Sequence, residues 1–283
     1  MSLIILRECS IGITCGDTDL WLDTVSELSL NNTTARTLLA RRNLFNSSNA
    51  QVALHKNNDT TSGTFTCYLT DEFAERLLFT LLGCEVYENG FVVPTILPDT
   101  FNHTPAKFLV TSGSNAYEVS DVVVTSVTFP LGKGYAGEIQ VSFEGGEMTQ
   151  VPRKYNQVIN TKQGKHLPVK PLELIFDDVT YQSISANINI AQNIHWSNSK
   201  SIYDNFNTRR PIIVGHLVNI TTTQYHKQES ILPSFENIII KQGSFILSME
   251  QASITRRIGV EEDLVTLSCD IQPTINMPNI QII

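Results

Sequence analysis

The chain is predicted to be mainly β, built as two tandem antiparallel β-barrel or sandwich modules with one flanking helix. Three observations predict this. A strand signature occurs twice, as Glu27-Leu28-Ser29-Leu30-Asn31-Asn32 and as Asn187-Ile188-Asn189-Ile190-Ala191-Gln192. Each copy is followed by another alternating run, residues 138–144 and residues 264–270. In all four, apolar and small polar residues alternate, the period of a half-buried strand. By contrast, only residues 71–82 carry a clear helical stripe.

Read in order, residues 2–6 predict an opening strand and residues 20–31 a longer one. Residues 33–45 are open between strand and short helix, because Ala35, Leu38 and Leu39 fit a helical face. Residues 45–63, rich in Asn, Ser, Thr and Asp, read as a long polar loop or hairpin tip. A strand over 63–69 leads into the helix 71–82. Thr70 or Asp71 caps that helix, Phe73, Leu77 and Leu81 form its inward stripe, and Gly83 ends it. Short strands follow at 91–97 and 106–110. Runs 121–129 and 137–145 form a hairpin about Gly132-Lys133-Gly134.

Residues 145–171 lack periodicity and read as a linker. This sets a first module at 1–150, a basic linker at 151–171 and a second, more degenerate module at 172–283. Within the second, strands are expected over 172–191, 211–223, 235–251 and 262–271, with irregular stretches at 194–196 and 199–207 and a turn near 256–259. The tail 272–283 holds four isoleucines and is too apolar to be free, so it should be tied down.

Charge follows the same division. The net charge is −8, and charged residues are only 17% of the chain. That is low enough to suit a protein that buries much of its surface against neighbours. Both modules are acidic. Residues 145–171 carry Arg153, Lys154, Lys162, Lys165 and Lys170 against Glu147 alone, so a basic strap joins two acidic bodies. Acidic modules do not grip a phosphate backbone, which needs clustered Lys and Arg. They suit nucleic acid that must slide.

No chemistry stands out. The histidines at 55, 103, 166, 195, 216 and 226 have no metal-like partner at short spacing, and Cys9, Cys15, Cys67, Cys84 and Cys269 form no CxxC pair. The cysteines read as small core residues of a reducing compartment. Gly132-Lys133-Gly134-Tyr135-Ala136-Gly137 lacks the leading glycine and the Ser/Thr of a phosphate loop. Asp177-Asp178 and Glu261-Glu262-Asp263 lack the spaced pattern of a calcium loop, so they read as solvated surface. Trp21, Trp196 and Tyr181 are candidates for a glycan platform, with core or interface packing as the alternative. No signal peptide is evident, and no run reaches the ~18 apolar residues of a membrane span. No catalytic residue, cofactor or metal is expected.

The order strand, strand, polar loop, strand, helix, hairpin in the first 150 residues resembles the tail-tube fold of long-tailed bacteriophages. Residues 25–32, 46–63, 64–83, 122–129 and 138–144 carry the likeness. Tail-tube subunits, tail hub proteins and the tube protein of type VI secretion share that fold. The resemblance implies a small antiparallel barrel flanked by a helix, whose sheet lines a pore. It implies partners that are copies of the same chain, in stacked hexameric rings or in trimeric, pseudo-hexameric ones. Sheath, tape measure, baseplate or terminator proteins are the further partners implied, and no membrane is. DNA would pass without specific binding. The implied place is the phage tail in the virion, after assembly in the host cytoplasm.

Under that resemblance the polar strand faces are candidates for the lumen: Glu27, Ser29 and Asn31; Glu138, Gln140, Ser142 and Glu144; Ser183, Ser185, Asn187 and Asn189. The opposite faces, with Leu28, Leu30, Ile139, Val141, Phe143, Ile184, Ile188 and Ile190, should fill the cores. The five strap cations are candidates for contacts between subunits. The leading expectation is a non-enzymatic tail-tube subunit. Alternatives are a baseplate hub, tube initiator or terminator, and then a glycan-binding β-sandwich for host attachment.

Overall fold

The computed structural model describes residues 9–22, 25–33, 36–43, 46–56, 60–94, 105–112, 115–132, 137–152, 165, 167, 170–197, 210–225, 237–261, 264–274 and 276–282. The first half holds β1 (Cys9–Cys15), β2 (Thr18–Leu22), β3 (Ser26–Thr33), β4 (Arg36–Asn43), β5 (Asn46–Lys56) and β6 (Thr60–Tyr68). Then come α1 (Arg76–Leu81), β7 (Glu85–Val86), β8 (Phe91–Val93), β9 (Ala106–Ser112), β10 (Asn115–Gly132), β11 (Glu138–Gly145) and β12 (Met148–Pro152). The second half holds β13 (Leu172–Phe176), β14 (Val179–Ser197), β15 (Arg210–Tyr225), β16 (Asn237–Gln242) and β17 (Phe245–Glu250). It closes with β18 (Ala252–Glu261), β19 (Leu264–Pro273) and β20 (Asn279–Ile282). The chain is mainly β, as expected, and every strand pairing is antiparallel.

One central sheet runs through both halves in the order β3–β6–β11–β10–β14–β15–β19–β18. Each half supplies four strands, and the halves meet where β10 pairs with β14 from Ser126↔Ala191 to Gly132↔Ser185. Two smaller sheets are layered on this one. The first is β2–β1–β9–β10–β12. The other is β14–β13–β16–β17–β20–β8–β7. Strands β10 and β14 belong to two sheets each. β10 changes sheet at Asp121, which adopts φ 51°, with a register shift between Val119 and Val122. The tail is tied down as β20, inserted between β17 of the second half and β8 of the first.

The two halves repeat one topology. In the first the layered sheet runs β2–β1–β9–β10–β12, and in the second it runs β14–β13–β16–β17–β20. The register repeats as well. Asn115 pairs with Ser112 and Pro152, and 130 residues on Phe245 pairs with Gln242 and Ile282. Within the central sheet, β3, β6, β11 and β10 correspond to β14, β15, β19 and β18. Rungs Phe143↔Gly63↔Leu30 and Ile271↔Ile220↔Ile188 hold equivalent places. Ser29 is therefore equivalent to Asn187. The sequence signature matches Glu27 with Asn187, two residues away but on the same face.

Apolar faces meet between the layers in one continuous core. Phe65 and Phe143 of the central sheet both contact Phe108 of β9, with centroids 6.5 and 4.9 Å apart. At the joint between halves, Phe129 stacks on Phe79 of α1 at 5.8 Å and packs on Phe245 of β17 at 4.9 Å. Such aromatic contacts add about 0.5–1.5 kcal/mol each beyond area burial.

Several expectations change. The helix spans Arg76–Leu81 rather than 71–82. Residues 71–75 form turns because Phe73 sits at φ 46° and Asp71 is drawn to the strap, where its Oδ1 accepts Lys165 N at 2.7 Å. Buried Glu75 instead accepts the Thr70 amide at 3.1 Å and hydroxyl at 3.0 Å. The helix ends as predicted at Gly83, φ 82°, with Gly83 N bonded to Thr80 O and Cys84 N to Phe79 O. Leu77 and Leu81 are buried.

Residues 36–43 are strand, paired with β5 in a ribbon that joins no other sheet among the described residues. The region assigned to the linker contributes β12, and β14 continues through 194–197. No turn occurs at 256–259, where β18 runs straight on with Gly259 opposite Thr266. Among the described residues of 172–282 there is no helix. The expected strand at 2–6, the hairpin tip 133–134 and the stretch 199–207 lie outside the described residues.

Candidate functional site

The central sheet has one buried and one polar face. Ile139, Val141, Phe143, Ile188 and Ile190 are buried, Leu28 and Leu30 are half-buried against the core, and Ile184 lies at a bulge between Ser183 and Ser185. On the opposite face the cross-strand pairs are polar. Asn31 faces Ser62, which faces Glu144; Ser29 faces Thr64, which faces Ser142. Gln140 faces Thr128, which faces Asn189, which faces Asn219. Asn187 faces Thr221, which faces Asp270; Ser185 faces Thr223, which faces Ser268.

Ten of the eleven lumen candidates therefore lie on this one face. Glu27 reaches it from a bulge at φ 51°, its Oε2 accepting the Thr66 hydroxyl at 3.2 Å. Glu138 is held by Tyr68, whose phenol is shifted upward chiefly by its hydrogen bond to that carboxylate. Ser183 is the exception. It pairs with buried Gln224, and its hydroxyl donates to Leu172 O at 2.9 Å, on the core side of the bulge. The described charges on the face are Glu27, Glu138, Glu144 and Asp270 against Arg257, which lies 3.4 Å from Asp270. The face is thus polar and net negative, the field that discourages a phosphate backbone from adhering.

The strap candidates divide. Lys165 and Lys170 are exposed, and the strap docks here through its backbone and Leu167. Lys165 O accepts Asp71 N at 2.9 Å, and Leu167 N donates to Leu69 O at 3.1 Å. The Leu167 side chain is buried over Gly137. Gln242 then ties the second half to the first. Its amide donates to Gly132 O and Lys170 O at 2.9 and 2.8 Å and accepts Gly132 N at 3.2 Å. Arg153, Lys154 and Lys162 lie outside the described residues.

The other motifs have structural places. Asp177-Asp178 is a two-residue hairpin turn, both at positive φ (48° and 65°), with Asp177 Oδ1 accepting Asn237 N. Trp21 lies over Gly12 in one layered sheet, and Tyr181 packs on Phe176 in the other, so they form no common platform. The side chain of Trp196 lies outside the described set. Among the described residues no group of three or more His, Cys, Asp or Glu is placed to hold a metal. No described helix is long and apolar enough to cross a membrane.

The family model described as the Bacteriophage Baseplate Tube Protein Family matches residues 1–283. The chain belongs to that family. It is therefore a structural protein of the phage tail or baseplate and a component of the virion. No curated protein matches the chain.

In this family member, sequence reasoning missed two features. One is the pair of second-half side chains that cap α1 across the joint. His216 Nε2 donates to Leu82 O at 2.8 Å, and Gln192 Nε2 donates to Leu81 O and Val124 O. Nothing local marks them, since their partners lie 68 to 134 residues away. The other is the outer strand β18. Its alternation, Ala252, Ile254, Ile258, Val260, was visible, but Arg256-Arg257 and Gly259 masked it as a turn.

Proposed function

We propose that the chain is a ring-forming tube subunit, with three copies enclosing a lumen through which DNA passes. One observation carries this. The central sheet consists of two topologically equal four-strand units side by side, each connected in the same order to its layered sheet. The chain thus contains two of the repeating units that a closed ring of six would need. Three chains would supply 24 strands, with the polar, net negative face inward. Rings would stack, and contacts to sheath, tape measure or terminator proteins would lie at the ends and outside. The reading assigns no catalysis, cofactor or membrane contact, and places assembly in the host cytoplasm. The strap cations, including Arg153, Lys154 and Lys162, would face acidic surface of neighbouring copies.

Electron microscopy and native mass measurement of the purified protein test this. Rings with a central hole and masses in multiples of three chains are expected. A strictly monomeric protein at high concentration would overturn it. The family description favours the baseplate end of the tube, and labelled copies located near the tail tip would distinguish that position from the tube shaft.

A further inference from the structure

Strand β18 carries the two most exposed of the large apolar residues on the described surface. Ile258 is 61% and Val260 74% exposed, with Val265 opposite Val260 on β19 at 42%. Such a row on an unpaired sheet edge is an aggregation hazard unless it is covered. Its equivalents inside the chain show what covers it. The corner residues Asp121 and Gln251, with the rungs Val124↔Phe143 and Ile254↔Ile271, set Ile254 in the place of Val124. Past the β10 bulge, Ile258 then stands in the place of Phe129 and Val260 in that of Leu131. Phe129 and Leu131 are 1% and 5% exposed. They are covered because β14 pairs alongside them, Phe129↔Ile188 and Leu131↔Ala186, and because the 242–245 turn packs over them.

The structural equivalent of β14 is β3, which pairs only with β6 among the described residues, just as β18 pairs only with β19. The rung Gln242↔Phe245 has its equivalent in Ser112↔Asn115. We propose that Ile258 and Val260 are core residues completed by a second copy of this chain, docking opposite its Leu30 and Leu28 and beside the β9–β10 rung of Ser112 and Asn115. The proposal rests on the ring reading and adds its register. Arg256 to Val260 would pair antiparallel with Asn32 to Leu28 of the next copy. Half-buried Leu28 and Leu30 would receive the apolar row, and Arg257 and Gly259 would fall on the polar side opposite Asn31 and Ser29.

The test uses the full chain. Native mass of wild type is compared with the double variant Ile258→Glu/Val260→Glu. Both sites are exposed within one chain, so the variant should keep its circular dichroism spectrum while losing the trimer mass peak. Independently, in a Cys15→Ser background, the pair Ile258→Cys/Leu30→Cys is treated with a short bismaleimide. The two sites lie on opposite edges of an eight-stranded sheet, about 30 Å apart along it at roughly 4.8 Å per strand, so any link joins two chains. Covalent dimers and trimers are expected at this register and fewer with the shifted pair Ile258→Cys/Asn32→Cys. If wild type forms rings but the charged variant assembles equally well, or the shifted pair links better, the docking proposal is wrong while the ring reading stands. If wild type never assembles, the ring reading fails, and the docking proposal fails with it.

Discussion

Asp121 and Gln251 stand 130 residues apart and adopt the same backbone conformation, φ 51° and 52°. Each lies at the corner where the chain leaves a layered sheet and enters the central one: β10 turns at Asp121, and β17 passes into β18 at Gln251. The left-handed region costs a residue with Cβ about 1–2 kcal/mol, so two such corners in one place of a duplicated topology mark the geometry that the fold requires.

The corners should respond alike to substitution. A β-branched residue is least tolerant of positive φ, so Asp121→Val and Gln251→Val should each lower stability by about 1–2 kcal/mol. Asp121→Gly and Gln251→Gly should be nearly neutral, because relief of strain offsets the added freedom of the unfolded chain. Urea unfolding of the four variants checks this.

Helix α1 is short but central. Leu81→Ala removes a fully buried side chain and should cost about 2–5 kcal/mol. Leu77→Ala, at 8% exposure, should fall at the lower end. Thr70→Val strips buried Glu75 of its hydroxyl donor and should cost about 1–3 kcal/mol. Slow hydrogen exchange over residues 76–82 is expected, and full exchange within the dead time would contradict this account of the helix.

At the seam, packing and backbone bonds should outweigh charge. Leu167→Ala should lower stability by about 2–3 kcal/mol and Gln242→Leu by about 1–3. Lys165→Gln and Lys170→Gln should change it by less than about 0.5, since both side chains are exposed. Neutralising Arg153, Lys154 and Lys162 together should leave monomer stability alone but weaken ring stacking more at low salt than at high salt. Assembly unchanged at both salt concentrations would reduce the strap to a tether.

The buried thiols predict a pH dependence. Burial pushes Cys84 and Cys67 well above the ordinary 9.0, with Glu75 adding to the rise at Cys67. The unfolded chain releases these protons above about pH 9 while the folded chain retains them. Folding stability is therefore full below pH 9 and declines as pH rises beyond it. Thermal melts should be flat from pH 7 to 8.5 and fall above 9, with a shallower fall in Cys84→Ala. Alkylation at pH 8 should label half-buried Cys15 well before Cys67 or Cys84.

The β class, the duplication and the polarity of the strand faces are legible in the residues alone, because a side chain's face in a strand follows from alternation. Glu27-Leu28-Ser29-Leu30 and Asn187-Ile188-Asn189-Ile190 read the same way in sequence and in space. Alternation is blind to shifts of two residues, so the true register, Ser29 with Asn187, needed the ladders. Long-range packing sets three further features: the two units share one sheet, β20 bridges to β8, and Phe73 and Asp71 shorten the helix. Each of these rests on partners far away in the chain: β14 beside β10, Phe91 beside Gln281, Lys165 beside Asp71. Local preference at Arg256-Arg257 and Gly259 pointed to a turn. Ten backbone rungs with β19 outweighed it and drew out β18 as an edge strand with its apolar row exposed.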